Sequence, residues 1–194
     1  MSSLSLTGKR PVLADLVPGT LVRDIALVAG GAVLTGAAAQ LSIPVLGTPV
    51  PMTAQTFAAL LVGASLGMRR GSASMLVYLL VGAVGVPWFQ HGTSGLSGAS
   101  AGYVVGFVFA GALVGALAGR GGDRTPVRTA GTMVLGNVVI YAFGVPWLMA
   151  ATGMDLATAF DKGVIPFLIG DAIKIVVAAG LLPLTWKLVS RRDS

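Results

Sequence analysis

The sequence predicts an all-α integral membrane protein, a bundle of six transmembrane helices with both termini in the cytoplasm. Three observations carry that expectation. The chain is 55% hydrophobic and only 10% charged, and its mean hydropathy of +0.87 is too apolar for a soluble domain of this size. Its apolar residues fall into stretches of membrane-crossing length, punctuated by Pro, Gly and charge. Of the 13 Lys and Arg, all but Lys162 and Lys174 lie before the first stretch, in alternate loops, or at and beyond the end of the last. Under the positive-inside rule those loops and both ends face the cytoplasm.

Composition also excludes function classes. There is no Cys, hence no disulfide, thiolate metal site or Cys nucleophile, and the single His91 cannot make a His-cluster metal site. The net charge of +6 follows from topology, so no nucleic-acid partner is expected. No nucleophile–base set accompanies the few ionisable groups, and no catalytic residue or cofactor is expected.

Residues 1–22 read as a cytoplasmic tail carrying Lys9 and Arg10, without a signal-peptide pattern. Residues 23–189 form the membrane domain and 190–194 a second cytoplasmic tail. The first span covers about 24–43, with Ala26, Ala29, Gly30, Ala32, Val33, Gly36 and Ala37 making a side rich in small residues, suited to tight helix contact. Pro44, Pro49 and Pro51 forbid a regular helix in the following loop. Thr53 is placed to cap the short helix that ends near Leu66, and Gln55 and Thr56 serve either helix-end solvation or a ligand.

A basic turn, residues 67–71, leads to a third span over 72–86. The loop that follows is long, uncharged and rich in Gly and Ser, with Trp88 and Phe89 at its head; these rings suit an interfacial belt or the wall of a pocket. The fourth span, 101–119, carries Gly111, Gly115 and Gly119 at close-packing spacing. Arg120, Arg124 and Arg128 precede a fifth span over 130–151, in which Asn137 and Tyr141 sit one turn apart. An amphipathic surface segment, 153–163, then leads to the sixth span, 164–188, with Pro166 in its first turn.

That last span holds the most unusual pair in the chain. Asp171 and Lys174 lie three residues apart, on one helical face, about seven residues from the outer end, or on the order of 10 Å deep. Ionisable groups at that depth cost a few kcal/mol each unless paired, hydrated or turned inward. They form either a structural ion pair or a polar site for a guest, since a carboxylate and an ammonium keep hydrogen-bonding capacity beyond each other. The Pro-rich loop, the Gly/Ser loop and this pair share the outer side, which predicts a pocket open to the exterior.

Several segments together resemble one family. They are the run Pro49, Val50, Pro51, Met52, Thr53, Ala54, Gln55, Thr56; the run from Tyr78 through Gly82, Gly85 and Pro87 to Phe89; Gly102, Tyr103, Gly106 and Phe107; and Gly170, Asp171 and Lys174. In this order over about 24–188 they resemble the BioY family, biotin-binding S components of energy-coupling-factor (ECF) vitamin transporters. One departure is the run before the fourth span, Gly-Pro-Thr-Gly-Gly-Tyr-like in the family and Gly98, Ala99, Ser100, Ala101, Gly102, Tyr103 here. The resemblance implies a six-helix bundle that captures biotin at its outer face and works with an ECF transmembrane coupling subunit and two cytosolic ATPases. That division of labour agrees with the lack of a G-x-x-x-x-G-K-[ST] motif in this chain. It further implies that Asp171 and Lys174 meet the ligand, with Gln90, Tyr103, Gln55 and Thr53 around the pocket, and that the small-residue side of the first span docks the coupling subunit. Alternatives are a subunit for another vitamin, a stand-alone facilitator, a membrane enzyme or a purely structural bundle.

Overall fold

A computed structural model describes residues 10–19 and 21–191; of the two expected tails, residues 1–9, with Lys9, residue 20 and residues 192–194, with Arg192, lie outside the described residues. The chain is mostly helical: α1 (Leu21–Ala39), α2 (Gln55–Ala83), α3 (Ala101–Ala118), α4 (Pro126–Thr152), α5 (Leu156–Gly163) and α6 (Leu168–Ser190). Four stretches, Leu21–Ala39, Ala101–Ala118, Pro126–Thr152 and Leu156–Ser190, are long and apolar enough to cross a membrane. The large apolar side chains these stretches turn outward are mostly aliphatic, among them Ile25, Leu34, Val134, Val138, Ile173 and Val176, with Phe109, Phe143 and Phe160 beside them. Such a surface suits lipid rather than water.

α2 departs from the expected turn at 67–71. Only Gly67 leaves the helical conformation, at φ 80° and ψ 176°, a region open to glycine alone, and residues from Met68 onward are already helical. The chain doubles back there. A Cβ placed on Gly71 would stand 2.8 Å from the Cα of Gly63, whereas eight residues of continuous helix rise about 12 Å. Gln55 and Tyr78 are likewise in hydrogen-bond contact across 23 residues. The arms of α2, residues 55–66 and 68–83, are therefore antiparallel. α3 crosses them at glycines: a Cβ on Gly115 would lie 2.4 Å from the carbonyl carbon of Gly67, and one on Gly63 2.9 Å from Gly111. Without side chains the backbones touch, and this close crossing is the packing use of the glycines within the apolar runs.

The remaining ends follow local rules. Thr125 caps α4 ahead of Pro126, and Gly153 closes it in the left-handed conformation at φ 72°. Asp155 caps α5 by accepting the Thr158 N–H at 2.9 Å and the Thr158 hydroxyl at 3.0 Å. A 3-10 turn, Ile165–Phe167, absorbs Pro166 before α6 begins. In the Pro-rich loop, two short strands, β1 (Ser42–Ile43) and β2 (Met52–Thr53), pair antiparallel with Ser42 opposite Thr53, a small exception to the all-helical expectation.

At the opposite end of the bundle, buried Val12 covers Gly67. Arg70 donates to Asp15 at 2.8 Å, and Arg124 donates to the Pro11 carbonyl at 2.6 Å. The indole of Trp186 on α6 donates to buried Asp123 at 2.6 Å under the Arg124 guanidinium, which lies 3.3 Å from the ring centre.

Candidate functional site

α6 begins at Leu168 because Pro166 has already ended the preceding turn, which puts Asp171 in its first turn. A carboxylate is favoured there by the unpaired N–H groups of the helix start. Lys174 follows one turn later, its Nζ 3.3 Å from Oδ1 of Asp171. Neither charge is spent on the other alone. Lys174 also donates to the Thr56 hydroxyl of α2 at 2.8 Å, and the Tyr141 hydroxyl of α4 donates to Oδ2 of Asp171. Asp171 is buried at 5% exposure, so these bonds offset a desolvation cost that an isolated carboxylate could not meet.

These groups form the floor of a cavity of about 50 Å³. Its walls are Val104 and Phe107 of α3, Ile140 of α4 and Phe167 before α6, and its roof is Val50 and Pro51 of the Pro-rich loop with Gln90 and Ser100 of the Gly/Ser loop. Apolar walls with a few convergent polar groups at one end are the chemistry of a small-molecule site.

All six residues singled out in the sequence, Thr53, Gln55, Gln90, Tyr103, Asp171 and Lys174, line this one cavity. Several already have partners. The Thr53 hydroxyl accepts the Gln55 N–H at 3.2 Å, and the Gln55 amide donates to the Tyr78 hydroxyl at 2.7 Å. Gln90 donates to Ser100, and the Tyr103 hydroxyl donates to the Gly163 carbonyl at 3.0 Å, leaving its ring to the cavity.

Trp88 and Phe89 do not line it. Trp88 lies over Gly36 and donates to the Tyr78 carbonyl at 3.0 Å; Phe89 fills the space that a side chain at Gly82 would take. Thr56, Asn137 and Tyr141, noted in the sequence but not set at the ligand there, also line the cavity, as does Ser100. Thr56 ends the Thr53–Gln55 run, and a phenol within a membrane helix one turn from an Asn was the available signal for Tyr141.

The outer loops beside the cavity are tied down. Gln40 donates to the carbonyls of Trp88 at 3.2 Å and Phe89 at 3.1 Å, and Ser42 hydrogen-bonds the His91 ring at 3.2 Å. The Trp147 indole donates to the Gly98 carbonyl at 3.1 Å. A second hollow, about 240 Å³, lies between the two loops and shares Pro51 and Gln90 with the cavity. A third, about 620 Å³ and almost wholly apolar, opens between α4 and α6 on the outside of the bundle.

The model of the BioY family matches residues 7–191. The chain belongs to the BioY family. It is 38% identical to the biotin transporter BioY of Rhizobium etli over 68% of this chain and 75% of that protein. It is 35% identical to the probable biotin transporter BioY of Pyrococcus horikoshii over 80% of this chain and 91% of that protein. Its fold is similar to that in the crystal structure, at 2.1 Å, of the S-component for biotin from an ECF-type ABC transporter, with a TM-score of 0.74 and 21% identity over 88% of this chain and 95% of that one. For a BioY chain, the polar floor of the cavity is thus carried by α2, α4 and α6, with α3 and the outer loops completing it.

Proposed function

We propose that this chain is the substrate-binding membrane subunit for biotin uptake, capturing biotin at the outer face and passing it inward with an ECF transmembrane coupling subunit and two cytosolic ATPases. The observation that carries the reading is the Asp171–Lys174 pair, bonded outward to Tyr141 and Thr56 at the floor of a cavity roofed by the outer loops, in a chain of the BioY family. A carboxylate suits the two N–H donors of a ureido ring, an ammonium suits a carbonyl or carboxylate oxygen, and Phe107, Ile140 and Phe167 suit the aliphatic remainder. Gln55, Thr53, Gln90 and Tyr103 complete the set of ligand-facing residues.

In the same reading the membrane domain is 23–189, crossing six times through α1, the two arms of α2, α3, α4 and α6, with both tails cytoplasmic. Support comes from the fold-back at Gly67 and from the side of the bundle on which the arginines gather. Ala26, Ala29, Gly30, Val33 and Ala37 are exposed on α1, as a docking face for the coupling subunit requires.

Equilibrium binding to the purified protein in detergent, with biotin against a panel of other vitamins, tests the assignment. Submillimolar biotin binding, lost in Asp171→Ala and in Lys174→Ala, is expected. Millimolar binding, indifference to both substitutions, or tighter binding of another vitamin rejects it.

A further inference from the structure

Tyr141 belongs neither to the charged pair nor to the loops, yet its hydroxyl holds the buried carboxylate. Its ring, with Asn137 and Asp171, stands between two spaces: the small cavity under the loops and the apolar cleft of about 620 Å³ between α4 and α6. We propose that Tyr141 is a positioning residue for ligand capture. It pins Asp171 by one oxygen, so that the carboxylate presents its free lone pairs to the cavity, and its ring keeps that carboxylate from turning into the lipid-side cleft. The proposal rests on the biotin-capture reading above.

The geometry supports each part. A carboxylate has two oxygens and about four lone-pair sites. Lys174 takes one on Oδ1 and Tyr141 one on Oδ2, which fixes the plane of the group and leaves an acceptor on each oxygen. Two acceptors already held in place bind a pair of N–H donors without first losing rotational freedom. Tyr141 is itself held. Its ring meets that of Tyr103 edge-on, with centroids 6.3 Å apart at 88°, and Tyr103 is anchored through the Gly163 carbonyl. Gly144 and Gly163 make room for Tyr103: a Cβ at either would fall 2.4 Å or 2.5 Å from its ring or hydroxyl. The link therefore runs from α5 through α3 and α4 to the carboxylate on α6, and every member touches a neighbour.

Tyr141→Phe tests this, because it removes the hydroxyl and keeps the ring. Binding is measured for biotin and for its cyclic-carbonate isostere, which has oxygen in place of both ureido N–H groups. Biotin affinity is expected to fall roughly two- to tenfold, the range for having to order one side chain on binding, while affinity for the isostere, which has no N–H to offer, barely changes. Equal losses for the two ligands signal a packing defect and overturn the proposal, as does unchanged biotin affinity. A wild type that binds neither ligand removes the biotin reading and the proposal with it. Should Tyr141→Phe not fold, difference infrared spectra of the wild type with ring-labelled tyrosine decide, the chain having only three tyrosines. A tyrosine C–O band that keeps its hydrogen-bonded position on adding biotin is expected. A shift to the free-hydroxyl position means that the ligand displaces Tyr141, and overturns it.

Discussion

Lys174 contributes differently to stability and to binding, and substitution separates the two. In Lys174→Met the buried carboxylate keeps Tyr141 but loses its cation, a change that costs of the order of a few kcal/mol where a buried pair is broken from one side. The melting temperature in detergent is expected to fall. Adding Asp171→Asn removes the stranded charge while keeping an acceptor for the Tyr141 hydroxyl, so the double variant is expected to melt close to wild type and still not bind biotin. Thermal melting and equilibrium binding on the same samples check this. A double variant that melts lower than Lys174→Met would mean that the pair is held for stability, not for a guest. Asp171 and Lys174 were legible in the sequence because a membrane helix tolerates charge only for a reason. Thr56 was legible only as an alternative to helix-end solvation, and the role of Tyr141 was not, because a phenol in a span is unremarkable until the group that it meets is known.

Glycine and capping act at the level of the elements. Gly67 turns α2 back on itself in a conformation that costs other residues about 1–3 kcal/mol, and a Cβ there would also press on Val12 at 3.2 Å. Gly67→Ala is expected to destabilise the bundle by about that amount in chemical or thermal unfolding, whereas Gly47→Ala, also at positive φ but with open space around it, meets the backbone cost alone. Asp155 at the start of α5 behaves as a pH-sensitive cap. The Thr158 backbone N–H, followed by its hydroxyl, holds the Asp155 carboxyl below the ordinary aspartate value of 3.8. The folded state thus favours the ionised form, and the stability it adds is complete above 3.8 and is lost as pH falls through the lower folded value. Asp155→Ala is expected to lower the melting temperature at pH 6 and to narrow the gap to wild type as pH drops toward 3. A gap that stays constant with pH would refute the cap.

For the molecule as a whole, the size of the cavity sets the next expectation. About 50 Å³ is far below the roughly 300–1,000 Å³ of sites that enclose drug-sized ligands, so a bicyclic vitamin enters only if the roof moves. That roof is tied by Gln40 to the carbonyls of Trp88 and Phe89 and by Ser42 to His91. With no native Cys in the chain, a short thiol-reactive cross-linker between Ser42→Cys and His91→Cys can hold the two loops together. The cross-linked protein is expected to associate with biotin at least about tenfold more slowly than the same protein before cross-linking, as gated entry requires. Stopped-flow binding reads the rate, and an unchanged rate would place the entrance elsewhere, the α4–α6 cleft being the alternative opening.

The sequence by itself determined the membrane environment, the helical class, the turn that begins at Gly67, the placement of Pro166 in a first turn, and the two charges on α6. Each follows from the bilayer's intolerance of unpaired polarity or from backbone rules that act within a few residues. Tertiary structure decided what no local rule reaches. It brought Thr56, Tyr141 and the six expected residues to one cavity, left that cavity at about 50 Å³, and turned Trp88 onto Gly36 and Phe89 onto Gly82 and away from it. Those outcomes depend on which side chains from separate helices compete for the same volume, and that is fixed only when the helices pack.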